Sequence, residues 1–218
     1  MKQPGVICVV AKPPRPGEVK TRLARSIGAE RAAELARVFF DDTWRWAATL
    51  PGARRVLGST TTALGDFGLG AAEVWLQGEG DLGARMERLA SRALAEAPWV
   101  LLVGTDSPGL PPEILAAAKA SLEHHDAVVG PAEDGGFYLL GLRRIDDGLL
   151  ADLPWSSPQT LQATLTRLGE RGFSVAALPL HADVDELEDL QRLSVRLRAT
   201  PGLAPSTATL LTSRGVRR

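Results

Sequence analysis

The stretch Val9–Leu23, V-V-A-K-P-P-R-P-G-E-V-K-T-R-L, decides how this chain is read. It continues an apolar run that begins at Val6, Ile7 and Cys8, and it passes straight into a loop with three prolines, Gly17 and the cations Lys12, Arg15, Lys20 and Arg22. A buried strand ending in a stiffened basic loop is the start of an α/β unit, because proline fixes φ and cuts the freedom of the turn. Four cations held near one point repel one another unless an anion sits among them. A phosphate or diphosphate suits them: Arg grips it with paired hydrogen bonds and Lys as a point charge. The alternative is a basic surface loop whose charges diverge into water.

Working outward, six further apolar runs follow at Arg54–Ser59, Glu73–Leu76, Trp99–Val103, Ala127–Val129, Phe137–Leu142 and Ser174–Leu180. Several show no polar alternation, as expected of strands covered on both faces. Helical patterns lie between them, at Glu30–Leu50, Leu82–Ala97, Pro112–Glu123, Pro158–Gly172 and Glu186–Arg198. Strands alternating with helices predict one α/β domain, Rossmann-like, with a mostly parallel (mixed) sheet and helices on both faces. That domain spans 1–198. Residues 199–218 lack a period and are rich in turn formers, which predicts a C-terminal tail, weakly ordered or loosely docked.

A chain of 218 residues can bury a substantial core. Its net charge of −1 excludes a global field for nucleic acid or acidic membranes, so any anion site is local. No apolar run reaches the ~20 residues that span a bilayer, and the N-terminus has no signal-peptide pattern, so a cytoplasmic location is expected. One cysteine, Cys8, excludes internal disulfides and Cys-based zinc sites.

In open α/β sheets, ligands sit beyond the carboxyl ends of the strands, and each chemically loaded segment here follows a strand. The first is the basic loop. It is no Walker A loop, since Val19 and not glycine precedes Lys20. In the second, V-L-L-V-G-T-D-S-P, Asp106 stands where a strand ends. A carboxylate at the edge of a core needs a partner, either a divalent ion such as Mg²⁺ or the turn through Ser107, Pro108 and Gly109. In the third, H-A-D-V-D-E-L-E-D-L, Asp183 and Asp185 are two apart in extended chain and so share a side. They repel unless a cation lies between them or one is protonated; otherwise Asp185 is the N-cap of an acidic helix start. In the fourth, G-P-A-E-D-G-G-F-Y, Gly135 and Gly136 after Asp134 either let a ligand approach the backbone or make a tight turn. Weaker signals are Arg85 near a flexible loop, Trp155 as a stacking or packing ring, and His181 as a general base.

These four segments, in this order, resemble the bacterial DUF2064 family, assigned to glycosyltransferases of the nucleotide-diphospho-sugar transferase superfamily with the GT-A fold. The resemblance covers roughly residues 5–195. It implies binding of a nucleoside diphosphate sugar with Mg²⁺ or Mn²⁺. Lys12, Lys20 and Arg22 match the diphosphate-binding segment; Arg15, Gly17 and Thr21 of the same loop are further binding candidates, and Asp134, Gly135 and Gly136 are expected to contact sugar or acceptor. Asp106 matches the metal ligand after the central strand, and Asp183 and Asp185 match the second acidic motif. Asp106, Lys20 and Arg22 are the catalytic candidates. Asp106 stands in T-D-S-P and not in D-x-D, closer to molybdenum-cofactor and phospholactate nucleotidyltransferases. Three functions stay open: transfer of a sugar from a nucleoside diphosphate sugar to a small acceptor, nucleotidyl transfer releasing pyrophosphate from a nucleoside triphosphate, and a non-catalytic nucleotide-binding module. None of the three calls for nucleic acid or a membrane span, and the oligomeric state stays open.

Overall fold

The computed structural model describes residues 4–214. Seven strands, β1 (Val6–Ala11), β2 (Arg54–Ser59), β3 (Val74–Leu76), β4 (Val100–Val103), β5 (Ala127–Pro131), β6 (Phe137–Leu142) and β7 (Val175–Ala177), form one sheet in the order β3-β2-β1-β4-β6-β5-β7. The pairs β1–β2, β1–β4, β2–β3 and β5–β7 are parallel, whereas β6 runs antiparallel to both β4 and β5. The sheet is therefore mixed, and β6 is its one reversed strand.

Period-two alternation sorts the strand residues onto two faces. Val6 and Cys8 of β1, Val100 and Leu102 of β4 and Leu140 of β6 pack in one core with Met86, Leu89, Ala90 and Ala93. These last belong to α3 (Leu82–Leu94). Leu168 of α5 (Thr160–Glu170) joins the same core. Ile7, Val9, Leu101, Val103 and Leu139 pack on the other face. There they meet Phe40 and Trp46 of α2 (Ala29–Ala47) and Leu115 and Ala118 of α4 (Glu113–Ser121). With both faces covered, the sheet needs no polar alternation. Cys8 lies at the centre, fully buried, on a strand paired on both sides.

A third core lies between helices. Leu23 of α1 (Thr21–Ile27), Leu35 and Phe39 of α2, and Leu190, Leu193 and Leu197 of α6 (Leu187–Ala199) enclose Val184. Ala204, Ala208 and Leu211 close it, the last two on α7 (Pro205–Arg214). This corrects the expected tail over residues 199–214; residues 215–218 lie outside the described part. Asp42, its side chain only 1% exposed, accepts hydrogen bonds from Ser206 N (2.9 Å), Thr207 N (2.8 Å) and Thr207 Oγ1 (2.7 Å). A carboxylate from α2 thus caps the start of α7, doing in space what an N-cap residue does in sequence. The sequence pattern is weak because threonines are poor helix formers; docking, not propensity, makes this helix.

Candidate active site

At the carboxyl edge of the sheet lies a cavity of about 680 Å³. β1 delivers Lys12 and Lys20 to it, β4 delivers Asp106, the β5–β6 turn delivers Asp134 and Gly136, and the chain after β7 delivers Asp183 and Asp185. Because β6 is reversed, the turn entering it opens on the same edge as the ends of β1 and β4. The bridge between Ala132 and His181 lays the segment after β7 beside that turn.

Val184 is the pivot. Its side chain is buried in the third core, so the flanking Asp183 and Asp185 are turned outward. Its N–H donates to Asp106 O at 2.9 Å, and its carbonyl accepts from Lys20 Nζ at 2.7 Å. Lys20 Nζ lies 2.5 Å from Asp106 Oδ1 and 3.3 Å from Asp185 Oδ1, its side chain only 6% exposed. Burial alone would lower the pKa of this ammonium, but Asp106 and Asp185 outweigh it and hold the group above the ordinary lysine value. Arg22 Nη1 stands 3.5 Å from Asp185 Oδ2 and half-exposed, reaching toward the mouth. Lys20, Arg22, Asp106 and Asp185 therefore form one ionic cluster.

The remaining residues of the basic loop divide. Lys12 and Thr21 line the cavity. Arg15 does not join them: it pairs with Asp66 Oδ2 at 2.6 Å on the exposed side of the loop. The expectation that four cations meet at one point is corrected to three, because the loop turns at Gly17 (φ 82), beyond Arg15. Gly17 is a turn residue whose positive φ a side chain would strain, and it does not line the cavity.

Asp134, Asp183 and Asp185 each offer an oxygen within 4.8 Å of the others. Asp134 is thus an acidic partner of Asp183 and Asp185, a grouping its place before two glycines did not signal. What could have signalled it is its position on a turn opening at the carboxyl edge. Burial and the charges of Asp134 and Asp185 raise Asp183 to a pKa of about 6, so these carboxylates are held closer than their charges favour. An all-carboxylate oxygen set fits a hard divalent cation such as Mg²⁺ or Mn²⁺. Asp185 is not the helix cap: Glu186 is, in a capping box with Asp189, whose Oδ2 accepts from Asp185 N (3.0 Å) and Glu186 N (2.8 Å). That shift by one residue leaves the Asp185 carboxylate for the cavity.

Gly136 N donates to Asp134 Oδ1 at 2.7 Å, fixing the acidic turn. Gly135 (φ 86) does not line the cavity, and a Cβ there would stand 2.2 Å from Pro158 O. It lets the acidic turn press against the loop before α5, where Leu161 N donates to Gly135 O at 2.8 Å. That loop lines the far wall with Trp155, set edge-on to Phe137 at 6.1 Å, and Ser156. Gln77 is buried at the other end, its amide donating to Gly58 O (2.9 Å) and Ala11 O (3.2 Å). Arg85 donates to Gly80 O instead of reaching inward. His181 Nε2 lies 2.9 Å from Arg196 Nη1, and burial and that guanidinium lower its pKa to about 4; the ring is turned to Arg196 and does not line the cavity.

The profile of a bacterial family described as uncharacterized conserved proteins, DUF2064, matches residues 47–157, about half of the chain. A Desulfovibrio desulfuricans protein, provisionally named a nucleotide-diphospho-sugar transferase, is 30% identical, with a TM-score of 0.88 over 98% of this chain and 95% of its own. This chain belongs to the DUF2064 family. Its fold is that of the nucleotide-diphospho-sugar transferases and nucleotidyltransferases. The Mycobacterium tuberculosis protein Rv0371c, solved with manganese, shares it at 17% identity and TM-score 0.57 over 88% of this chain and 98% of its own. So does a CMP:2-keto-3-deoxy-manno-octonic acid synthetase bound to CTP, at 13% and 0.58 over 90% and 99%. A search of curated proteins finds no match. As a DUF2064 member the chain combines this fold with no helix, among the described residues, long and apolar enough to cross a membrane.

Proposed function

We propose that this DUF2064 protein is a divalent-metal-dependent transferase that takes a nucleoside diphosphate sugar and moves the sugar to a small acceptor. One observation carries the reading: a buried lysine and a half-exposed arginine from one segment and four aspartates from three others converge in one cavity at the carboxyl edge of the sheet. Cations and carboxylates assembled this way suit a ligand that is itself an anion with a metal, and a diphosphate is such a ligand.

In this reading Lys12, Lys20 and Arg22 bind the diphosphate and stabilise the charge that grows on it as the sugar leaves. Asp134, Asp183 and Asp185 would hold Mg²⁺ or Mn²⁺, which when bound supplies further neutralisation of that charge. The bond from the anomeric carbon to the β-phosphate oxygen breaks, its electron pair leaving with the diphosphate. A hydroxyl oxygen of the acceptor bonds the anomeric carbon as its proton is lost to water. Trp155 and Ser156, on the wall beyond Asp134, face the side where sugar and acceptor would lie.

The test is calorimetric titration with a panel of nucleoside diphosphates, with and without Mn²⁺, on wild type and Asp183→Asn. Metal-dependent binding that the variant loses is expected; no metal-dependent binding by any of them overturns the reading. A second reading rests on the lone Asp106 of T-D-S-P: attack on the α-phosphate of a nucleoside triphosphate with release of pyrophosphate. Pyrophosphate detected during turnover of a triphosphate panel would select it over sugar transfer.

A further inference from the structure

The Lys20 ammonium makes the contacts that a metal ion makes: two carboxylate oxygens, on Asp106 and Asp185, and one carbonyl oxygen, on Val184. Its other near neighbour is the face of Phe39, 5.6 Å away. With 6% of the side chain exposed, water competes little for these partners. Asp185 is shared, because it also belongs to the acidic trio with Asp134 and Asp183. An ion entering that trio therefore meets a carboxylate already engaged by a buried positive charge.

The backbone points the same way. Lys20 has φ 47 and ψ 43, a left-handed conformation rare outside glycine, and it is the first residue before α1 with no side-chain cap there. Held by Leu23 in the third core on one side and by the proline-stiffened loop on the other, the strained residue aims its side chain inward and not into water. A lysine whose only task was to close the helix start would gain nothing from that orientation.

We infer that Lys20 is a built-in stand-in cation: it holds Asp106 and Asp185 together while no metal is bound, and it gives up Asp185 to the arriving ion as its ammonium turns to the substrate phosphates. The inference rests on the metal reading given under Proposed function and adds a competition to it. Metal alone must displace a well-partnered ammonium and bear its repulsion, so it binds weakly. Substrate phosphates offer Lys20 a new anionic partner, so substrate and metal strengthen each other's binding by the same factor.

The experiment measures binding of Mn²⁺ alone by electron paramagnetic resonance, with no nucleotide present. Lys20→Met removes the charge at similar length, and Lys20→Gly removes it while relieving the left-handed backbone, which guards against a folding defect. Both are expected to bind Mn²⁺ at least tenfold more tightly than wild type, which is about 1.4 kcal/mol. Lys20→Arg, which keeps the charge, is expected to stay within threefold of wild type. Mn²⁺ affinity unchanged or weakened in both neutral variants overturns the stand-in role while leaving the metal reading intact. Absence of Mn²⁺ binding in wild type and all variants overturns the metal reading, and the stand-in role with it.

Discussion

Lys20 and Arg15 leave the same loop with the same charge and end in opposite surroundings. Lys20 is buried between carboxylates, whereas Arg15 is half-exposed against Asp66. Exposed pairs of the second kind contribute roughly 0–1 kcal/mol. Arg15→Ala is therefore expected to leave nucleoside diphosphate affinity within about twofold, whereas Arg22→Ala, at the mouth, weakens it about tenfold, which calorimetry on the two variants checks. The acid range supplies a second residue-scale prediction. Burial and Arg196 lower His181 to about 4, so its contribution to stability is complete above its ordinary 6.5 and is lost as pH falls toward 4. Burial and Asp134 raise Asp183 from 3.8 to about 6, so its contribution runs the other way, growing as pH falls from 6 to 3.8. In metal-free buffer the two oppose each other between pH 4 and 6. Urea midpoints across that range should fall more steeply with acid in Asp183→Asn than in wild type, and less steeply in His181→Asn. Equal slopes in all three would refute both assignments.

At the scale of elements, the docking of α7 depends on one carboxylate. Asp42→Ala leaves two backbone N–H groups and the Thr207 hydroxyl without their acceptor. A loss of roughly 2–4 kcal/mol is expected, read as a lower urea midpoint at unchanged m-value, with Asp42→Asn losing about half as much because it keeps an acceptor. The same helix shows why parts of the fold were hidden in the sequence. Helices α2 to α6 announced themselves through helical patterns, and strands such as Val100–Val103 and Phe137–Leu142 through unbroken apolar runs. Helix α7 is made by a tertiary cap that no local pattern encodes, and α1, only seven residues long, is too short for a period to show beside a basic loop. The site divides the same way. Lys20, Asp106 and Asp185 stood out because each follows a strand. Asp134 joins Asp183 only because β6 reverses and a bridge at Ala132 draws the later segment alongside, a long-range event that spacing does not carry.

Across the whole molecule, the site is a product of the sheet edge and the third core acting together. Leu23, just beyond Arg22, and Val184, between two aspartates, are buried in the same helical cluster. Filling the cavity therefore ties β1, β4, the β5–β6 turn and the helical cluster to one another. A ligand at 100 times its Kd stabilises the folded state by about 2.7 kcal/mol. For a chain of this size, that raises the melting temperature by roughly 5–10 °C. Mn²⁺ together with the nucleoside diphosphate that binds in the titration is expected to produce such a shift, and Asp183→Asn to abolish it, as followed by scanning fluorimetry.

Cys8 gives that coupling a natural reporter. Burial in the central strand holds its thiol near a pKa of about 12, so in the native protein it is sealed from reagents that attack thiolates. A maleimide can reach the sulfur only after the middle of the sheet has come apart. The rate of alkylation thus clocks rare global openings, and its slowing on addition of ligand would measure, in an unmutated and otherwise unlabelled chain, how firmly an occupied cavity locks the protein shut.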